Sequence, residues 1–525
     1  MFFLIMKRVL VSFILTVYPV SFITKRCTDL TDKDFELCSR LFSNHYGYYN
    51  GGAPSPKAGK RIRMSGRMFR SFYQGRNNAF VAMAFVRDRL IGHAFYISED
   101  VGGRGRCTWV TQLVVHRAFR KRTIAARLLQ SAWGFSDDLA WGLATVNPMT
   151  IKVLERATFR KVELDHIRQE INLIRLFQKD IPFAADKRIV VDSQSSSIAS
   201  DFYPFNENEH TAEFRHYRSI LGDIPNGGEW IAFVFNSQKL VINQKNWESF
   251  MKFQEAQLID SYSRMNMPTH KWTAGTQDEV SFVLDCLERM NAPVTSKTSI
   301  LDIGCGTGRH LNSLLAKQPV GRAVGIDFST ANIERARSGA RGIPGDVKYL
   351  VKDARHFRST RQFDVILCLY DVIGSFRDNK DNERILAAVH SNLKKGGYAF
   401  ISVMNMEYTE HVAKHKESLS RNPESLLLLK PSEKMAKTGD VFDPDLFIIN
   451  TDDGLVYRKE QFKDRIGRDA EYVIADKRYT LREMRDILER KKFHVVESKY
   501  VRANHWRGVY ESNEAKEILF VVRKG

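Results

Sequence analysis

The sequence predicts an α/β chain of two units: a first in which strands alternate with short helices, and a second built on a doubly wound sheet. Three observations carry this. The octapeptide LDIGCGTG, residues 301–308, is an apolar run, an acid and then glycines at 304, 306 and 308. It reads as a buried strand over 299–303 that ends in a turn where backbone must approach a ligand with no Cβ in the way. Helical spacing over 310–316 comes directly after it, so the turn opens a helix N-terminus. Upstream, residues 80–85 and 90–98 alternate apolar and polar side chains about a tight turn at Arg87 and Asp88.

The second unit continues in order. A short strand over 323–326 ends in Asp327, whose carboxylate could accept hydrogen bonds from both hydroxyls of a ribose. A third strand in VKYLVKDA ends at Asp353 and Ala354, and a fourth over 364–369 runs into a loop with Tyr370, Asp371 and Gly374. A helix over 382–393, a turn at Gly396 and Gly397 and a fifth strand complete the alternation. Upstream, Trp272, Gly275 and Thr276 stand just before an amphipathic helix. The chain has no His/Cys cluster with metal-ligand spacing, so no metal is expected.

This series resembles the class I S-adenosylmethionine-dependent methyltransferases, over roughly residues 271–525. The resemblance implies a Rossmann-like methyltransferase sheet and S-adenosylmethionine as cofactor. By it, Asp302, Gly304, Gly306 and Gly308 surround the methionine end, Asp327 the ribose, and Asp353 and Ala354 the adenine, with Leu369 alongside. Trp272 and Thr276 belong to a W-x-x-G-T-x-x-E element similar to one that closes over the sulfonium. A dinucleotide site is the other reading of a glycine turn, but it prefers G-x-G-x-x-G, unlike the Asp-x-Gly-x-Gly-x-Gly series here. The loop after the fourth strand lacks Asn/Asp-Pro-Pro-Tyr and a Pro-Cys nucleophile, which points away from nucleobase acceptors; Cys368 is expected in the core. Tyr370 and Asp371 are the catalytic candidates, with pocket lining as their other role.

In the first unit a strand from Ile23 precedes a helix capped by Thr31 or Asp32. Residues 109–115 read as a strand, 124–133 as a helix and 147–159 as another. Between the first two lies HRAFRKRTIAARLL, in which Arg120-x-x-Thr123-x-Ala125 resembles the pyrophosphate loop of GNAT acetyltransferases. That likeness implies a mixed sheet with flanking helices and acetyl-CoA as cofactor. Leu113 and Val115 would lie on its pairing strand, with Arg120, Lys121, Arg122, Thr123 and Ala125 at the pyrophosphate. The sequence departs from the pattern: Thr123 replaces the usual glycine, Leu154 stands where a tyrosine acid is common, Thr158 replaces a later glycine, and Gln112 occupies the strand tip. A leucine cannot protonate a departing thiolate, so acetyl-CoA binding and acetyl transfer are separate expectations.

The expected domains are an apolar extension over 1–22, the GNAT-like unit over 23–170, an appendage over 171–236, a linker over 237–270 and the methyltransferase unit from 271. Residues 193–200 read as an exposed loop, 229–235 as a strand, and Arg61, Arg63, Arg67 and Arg70 as one face of a helix in a basic loop over 47–78. Residues 408–458 interrupt the regular alternation, with a basic helix over 412–416, and are the expected acceptor-pocket insertion. A helix over 481–492 and strands over 494–501 and 515–522 close the sheet with an antiparallel edge.

The 525 residues carry a net charge of +19, and the segment through Glu170 holds 27 Lys and Arg against 13 Asp and Glu. That basic first unit supports an alternative reading, an RNA- or protein-directed methyltransferase with a binding module, against methyl transfer to a small organic acceptor. Six scattered cysteines without a C-x-x-C pair fit a reducing, cytoplasmic setting. The apolar stretch over 9–23 is short for a membrane span and is read as an extended start, with an anchor as the other reading. Oligomeric state is not legible.

Overall fold

The computed structural model describes residues 20–133, 138–178, 186–200, 204–205, 220–224, 227–262, 273–463 and 467–525, and only the backbone at 204–205, 256 and 258–262. The expected extension falls almost wholly outside these residues, as does Trp272. Contacts divide the chain into one unit of Met1–Phe250 with Lys463–Ala470 and another of Met251–Phe462 with Glu471–Gly525.

The first unit holds an eight-stranded sheet in the order Val20–Arg26, Ala79–Val86, Arg89–Asp100, Arg106–Val115, Ala140–Thr145, Glu229–Phe235, Ser196–Ile198, Ile189–Val191. Pairing is antiparallel except between Arg106–Val115 and Ala140–Thr145, which run parallel. This is the mixed sheet expected. The parallel pair stays in register only from Cys107 opposite Ala140 to Val110 opposite Leu143, after which the strands part. Helices Asp32–His45, Ile124–Trp133 and Pro148–Thr158 flank it. Thr31 caps the first: its hydroxyl accepts from Asp34 N and the Asp34 carboxylate accepts from Thr31 N.

The structure corrects several sequence readings here. Strand Glu229–Phe235 is fully buried and pairs with Ala140–Thr145, so part of the expected appendage is central sheet. Residues 193–200 are exposed only at their start; Ser196, Ser197 and Ile198 form a buried strand against Glu229 and Trp230. Helix Gly66–Tyr73 begins after Arg61 and Arg63, which therefore share no helical face with Arg67 and Arg70. The segment expected as a linker contains the helix Gln244–Tyr262.

The second unit holds a seven-stranded sheet ordered Val347–Val351, Arg322–Asp327, Ser299–Ile303, Phe363–Cys368, Leu393–Met404, Glu517–Lys524, Phe493–Val501. The first five run parallel; Glu517–Lys524 is antiparallel to both its neighbours, so Phe493–Val501 again runs in the direction of the first five. Period-two alternation explains why both faces are apolar. Ile300, Ala323, Val365, Leu367 and Phe400 pack on one side, and Leu301, Ile303, Val324, Ile326, Ile366 and Ile401 on the other. Because all five parallel strands end on one edge, the loops there carry any ligand chemistry.

The insertion departs from expectation. Helix Met406–Val412 ends where the basic helix was expected, and His415–Glu417 is instead a strand. It joins Phe447–Asn450, Leu455–Lys463 and Asp469–Lys477 in a four-stranded sheet that extends well past residue 458. A helical period could not be distinguished from a short strand over five residues because either pattern fits so few side chains.

Candidate functional site

The glycine turn is built by three left-handed glycines, with φ of +72° at Gly304, +53° at Gly306 and +75° at Gly308. Their reasons differ. A Cβ on Gly304 would meet Val372 Cγ2 at 2.3 Å, and one on Gly308 would meet the Tyr349 hydroxyl at 2.7 Å. Among the described residues a Cβ on Gly306 would meet nothing within 4 Å. Packing therefore excludes a side chain at the outer two, while Gly306 faces open space. Asp327 braces the turn: its Oδ2 accepts from Gly306 N at 3.0 Å and its Oδ1 from Ser329 N at 2.8 Å. Burial raises its pKa, opposed by those two backbone donors.

Asp302 lies beneath the turn, almost wholly buried, and its Oδ2 meets no hydrogen-bond partner among the described residues. Burial pushes its carboxyl up to about 7; the Arg309 charge opposes this and Asp327 adds to it. Asp353 caps the turn Ala354–His356 and is held by Arg355 at 2.7 Å, which also reaches Asp381 at 2.7 Å. Leu369 is buried at the end of strand Phe363–Cys368.

A cluster that sequence reasoning did not single out stands beside the turn. Glu279, on helix Thr276–Arg289, is fully buried. Its Oε2 accepts from Arg309 Nη1 at 2.9 Å and His310 Nε2 at 2.7 Å, and its Oε1 accepts from Asn504 N at 3.1 Å and the Tyr370 hydroxyl. Burial alone would raise its pKa, but the His310 hydrogen bond and the Arg309 charge hold it down at about 2. His310 is kept neutral, lowered to about 4 by burial and then by Arg309. Thr276 joins the cluster by accepting from Arg309 Nη1 at 2.7 Å. Glu279 is the last residue of the W-x-x-G-T-x-x-E element, so a signal for it was present.

Tyr370, with φ of +65°, turns its ring beneath the Arg309 guanidinium at 4.6 Å. A left-handed tyrosine is strained, and here both its ends are held: its hydroxyl by Glu279 and its N–H by the Ser402 hydroxyl. Ser402 in turn donates to Glu517 Oε2 at 3.3 Å. Glu517 sits opposite Met404 at the carboxyl edge of the parallel sheet, buried. Burial, then the neighbouring carboxylates Glu279 and Asp371, push it up to about 8. Asp371 is half-buried, its pKa raised by burial against the pull of Arg458 and Arg478. Both arginines come from the insertion sheet and its exit, where Arg478 and Arg458 pair with Asp476. The sequence-named Tyr370 and Asp371 are thus brought together with Glu279 and Glu517, which distant segments supply.

In the first unit, Leu113 and Val115 lie beyond the last paired position of the diverging strands. Lys121 and Thr123 both adopt left-handed backbone, with φ of +62° and +61°, so Thr123 takes the conformation that the usual glycine supplies. Its hydroxyl folds back onto Arg122 O at 2.6 Å. Arg120 donates to Val115 O at 3.2 Å and to His45 O, and Ala125 lies in the first turn of the helix. Leu154 is fully buried. Among the described residues no cluster of His, Cys, Asp and Glu could hold a metal ion.

Residues 300–397 match the methyltransferase domain model and residues 53–156 the acetyltransferase (GNAT) family model. The chain carries a methyltransferase domain and a GNAT acetyltransferase domain. Over 145 residues it is 29% identical to a malonyl-[acyl-carrier protein] O-methyltransferase of Ilyobacter polytropus, covering 27% of this chain and 49% of that one. Over 103 residues it is 34% identical to a dTDP-4-amino-2,3,4,6-tetradeoxy-D-glucose N,N-dimethyltransferase of Saccharopolyspora spinosa, covering 20% and 39%. The chain thus spans half or less of the length of these two relatives. An S-adenosylmethionine-dependent methyltransferase from Clostridium acetobutylicum aligns over 51% of this chain and 98% of its own, at 16% identity and a TM-score of 0.37.

Proposed function

We propose that the second unit transfers a methyl group from S-adenosylmethionine to a small organic acceptor, and that the first binds acetyl-CoA and acetylates a metabolite of the same route. The observation that carries the first part is the open face at Gly306, backed by a buried carboxylate at Asp302 with an unmet oxygen and braced by Asp327. Those groups fit a cofactor bearing an ammonium and a ribose diol: Asp302 for the positive charge, Asp327 for the hydroxyls, Arg309 for the carboxylate. When bound, that cofactor supplies an electrophilic methyl on a cationic sulfur. Asp353, Ala354, Leu369 and Thr276 would complete its site. Tyr370 and Asp371 line the acceptor side, and the insertion closes water out. The small-molecule assignment draws support from a relative named for a dTDP-linked amino sugar.

For acetyl-CoA, the parted strand edge at Leu113 and Val115 and the loop from Arg120 to Ala125 are the residues in place, with Lys121 and Arg122 for the pyrophosphate. The left-handed Thr123 keeps the loop amides where an anion needs them. With Leu154 buried, the thiolate proton would come from water or another group. No described helix is long and apolar enough to cross a membrane; in this reading the enzyme works in the cytoplasm.

Calorimetry on the full chain with S-adenosylhomocysteine tests the first part. Binding is expected, and Asp327→Ala should weaken it by about 1.5–3 kcal/mol, the loss of a charged hydrogen-bond partner. No binding, or unchanged binding in the variant, overturns it. Titration with coenzyme A tests the second part, and absence of heat and of competition with acetyl-CoA overturns it.

A further inference from the structure

We propose that Glu517 is the proton acceptor for a small amine in the second unit, and that it gives up its own proton when a positively charged methyl donor enters the site. The inference rests on the methyl-transfer reading above and adds to it a base and an acceptor class.

Position comes first. Glu517 opens the antiparallel strand that pairs with Leu393–Met404, so it stands on the carboxyl edge where the glycine turn and Tyr370 also lie. Ser402 fixes it from below and, through the same hydroxyl, fixes the backbone of Tyr370. Charge comes second. Glu279, Asp302, Asp371 and Glu517 gather here against Arg309 on the turn side, with Arg458, Arg478 and Asp476 beyond Asp371 on the insertion side. Carboxyls outnumber cations, and one of them, Asp302, has a buried oxygen with no hydrogen-bond partner among the described residues. Carboxyls that hold protons at rest can release them to match an arriving positive charge, so such a site favours a cation over an anion.

Elimination among the neighbours comes third. Glu279 already accepts four hydrogen bonds and is too weak a base, at about 2. His310 points Nε2 at Glu279 and is neutral. Glu517 has one oxygen engaged by Ser402 and is held at about 8 by burial, Glu279 and Asp371, against Arg309. Near neutral pH it is protonated; a positive charge arriving nearby favours the carboxylate, so the proton leaves as the donor binds. A free base is then present only when a methyl group is ready.

An amine fits both features, because its ammonium form is drawn to the carboxyls and its nitrogen must shed a proton. The ammonium first passes one proton to Glu517 Oε1, restoring the protonated resting state and freeing the nitrogen lone pair. That lone pair bonds the methyl carbon as the carbon–sulfur bond breaks with its electron pair going to sulfur, which becomes neutral. The positive charge leaves on the N-methylammonium product.

Calorimetry on the full chain in buffers of different ionisation enthalpy reads this directly, with S-adenosylmethionine and S-adenosylhomocysteine as probes differing by the one charge. The charged probe should release more protons, by on the order of half a proton per site near pH 7. Glu517→Gln, which keeps the Ser402 hydrogen bond, should abolish the difference while still binding the neutral probe. Asp302→Asn should leave the difference in place. Equal release by both probes, or a difference that survives Glu517→Gln and disappears with Asp302→Asn, overturns the proposal. Failure of both probes to bind instead removes the methyl-transfer reading beneath it. In cell extract supplied with isotope-labelled methyl donor, label should appear in a compound retained on cation-exchange resin and stable to base. Label lost to base as methanol marks a carboxylate acceptor and overturns the amine.

Discussion

At the residue scale, neighbouring glycines of one turn do different work, and substitution separates them. Alanine at Gly308 would meet both a backbone of φ +75° and the Tyr349 hydroxyl at 2.7 Å. Gly308→Ala should lower stability by about 2–3 kcal/mol, seen as a drop in the denaturant midpoint. Gly306→Ala has only its φ against it and should cost about 1 kcal/mol. Its methyl would fill the open face, so S-adenosylhomocysteine affinity should fall well beyond what the stability change accounts for. If Gly306→Ala binds as the native chain does, the cofactor does not lie on that face. Asp302, Gly304 and Asp327 were legible because a buried strand running into a glycine series leaves few conformations for the residues around it. Glu279 was signalled only as the last residue of the W-x-x-G-T-x-x-E element, and Glu517 not at all, since a buried carboxylate in sequence looks like any other and only its neighbours give it meaning.

At the element scale, local signals sufficed where the chain decides its own conformation. Thr31 caps its helix through a reciprocal pair with Asp34, both within one turn. Thr31→Ala should cost about 1 kcal/mol, measured as a lower thermal midpoint of the first unit. Strand Ser299–Ile303 and helix Ile124–Trp133 have the bounds that apolar periodicity predicts. Thr123 tests the pyrophosphate loop. Because it is left-handed without being glycine, Thr123→Gly should raise stability by about 1 kcal/mol and leave coenzyme A affinity equal or higher. A loss of affinity would mean that the threonine hydroxyl, not the loop backbone, serves the ligand. The insertion misled sequence reading because its first two strands are short and its sheet is held by buried pairs such as Arg458 with Glu460 and Asp476.

At the scale of the whole molecule, buried ionisable groups set opposing slopes of stability against pH. Glu517 and Asp302, held at about 8 and about 7 chiefly by burial, bind protons when folded that the unfolded chain has lost. Their contribution is full below the ordinary carboxylate range and is lost as pH rises through 7 and 8. His310, lowered to about 4, and Glu279, lowered to about 2, act oppositely. Their contribution is full above the ordinary histidine and carboxylate values and is lost as pH falls through about 4 and about 2. Thermal midpoints should therefore peak at roughly pH 4–5. Glu517→Gln should flatten the alkaline side, and an unchanged alkaline fall would show that other groups set it.

The sequence by itself determined two α/β units, the glycine turn with Asp302 and Asp327, the Thr31 cap and the loop from Arg120 to Ala125. Each of these depends on spacing within one strand, turn or helix, which side-chain size and backbone preference settle locally. Only the tertiary structure decided that strand Glu229–Phe235 lies inside the first sheet. It likewise decided that residues 279, 309, 310, 370 and 517 share one buried cluster. The physical reason is that strand pairing and buried charge are long-range: a carboxylate's partners, and so its protonation, are chosen by whichever distant segments the fold packs against it.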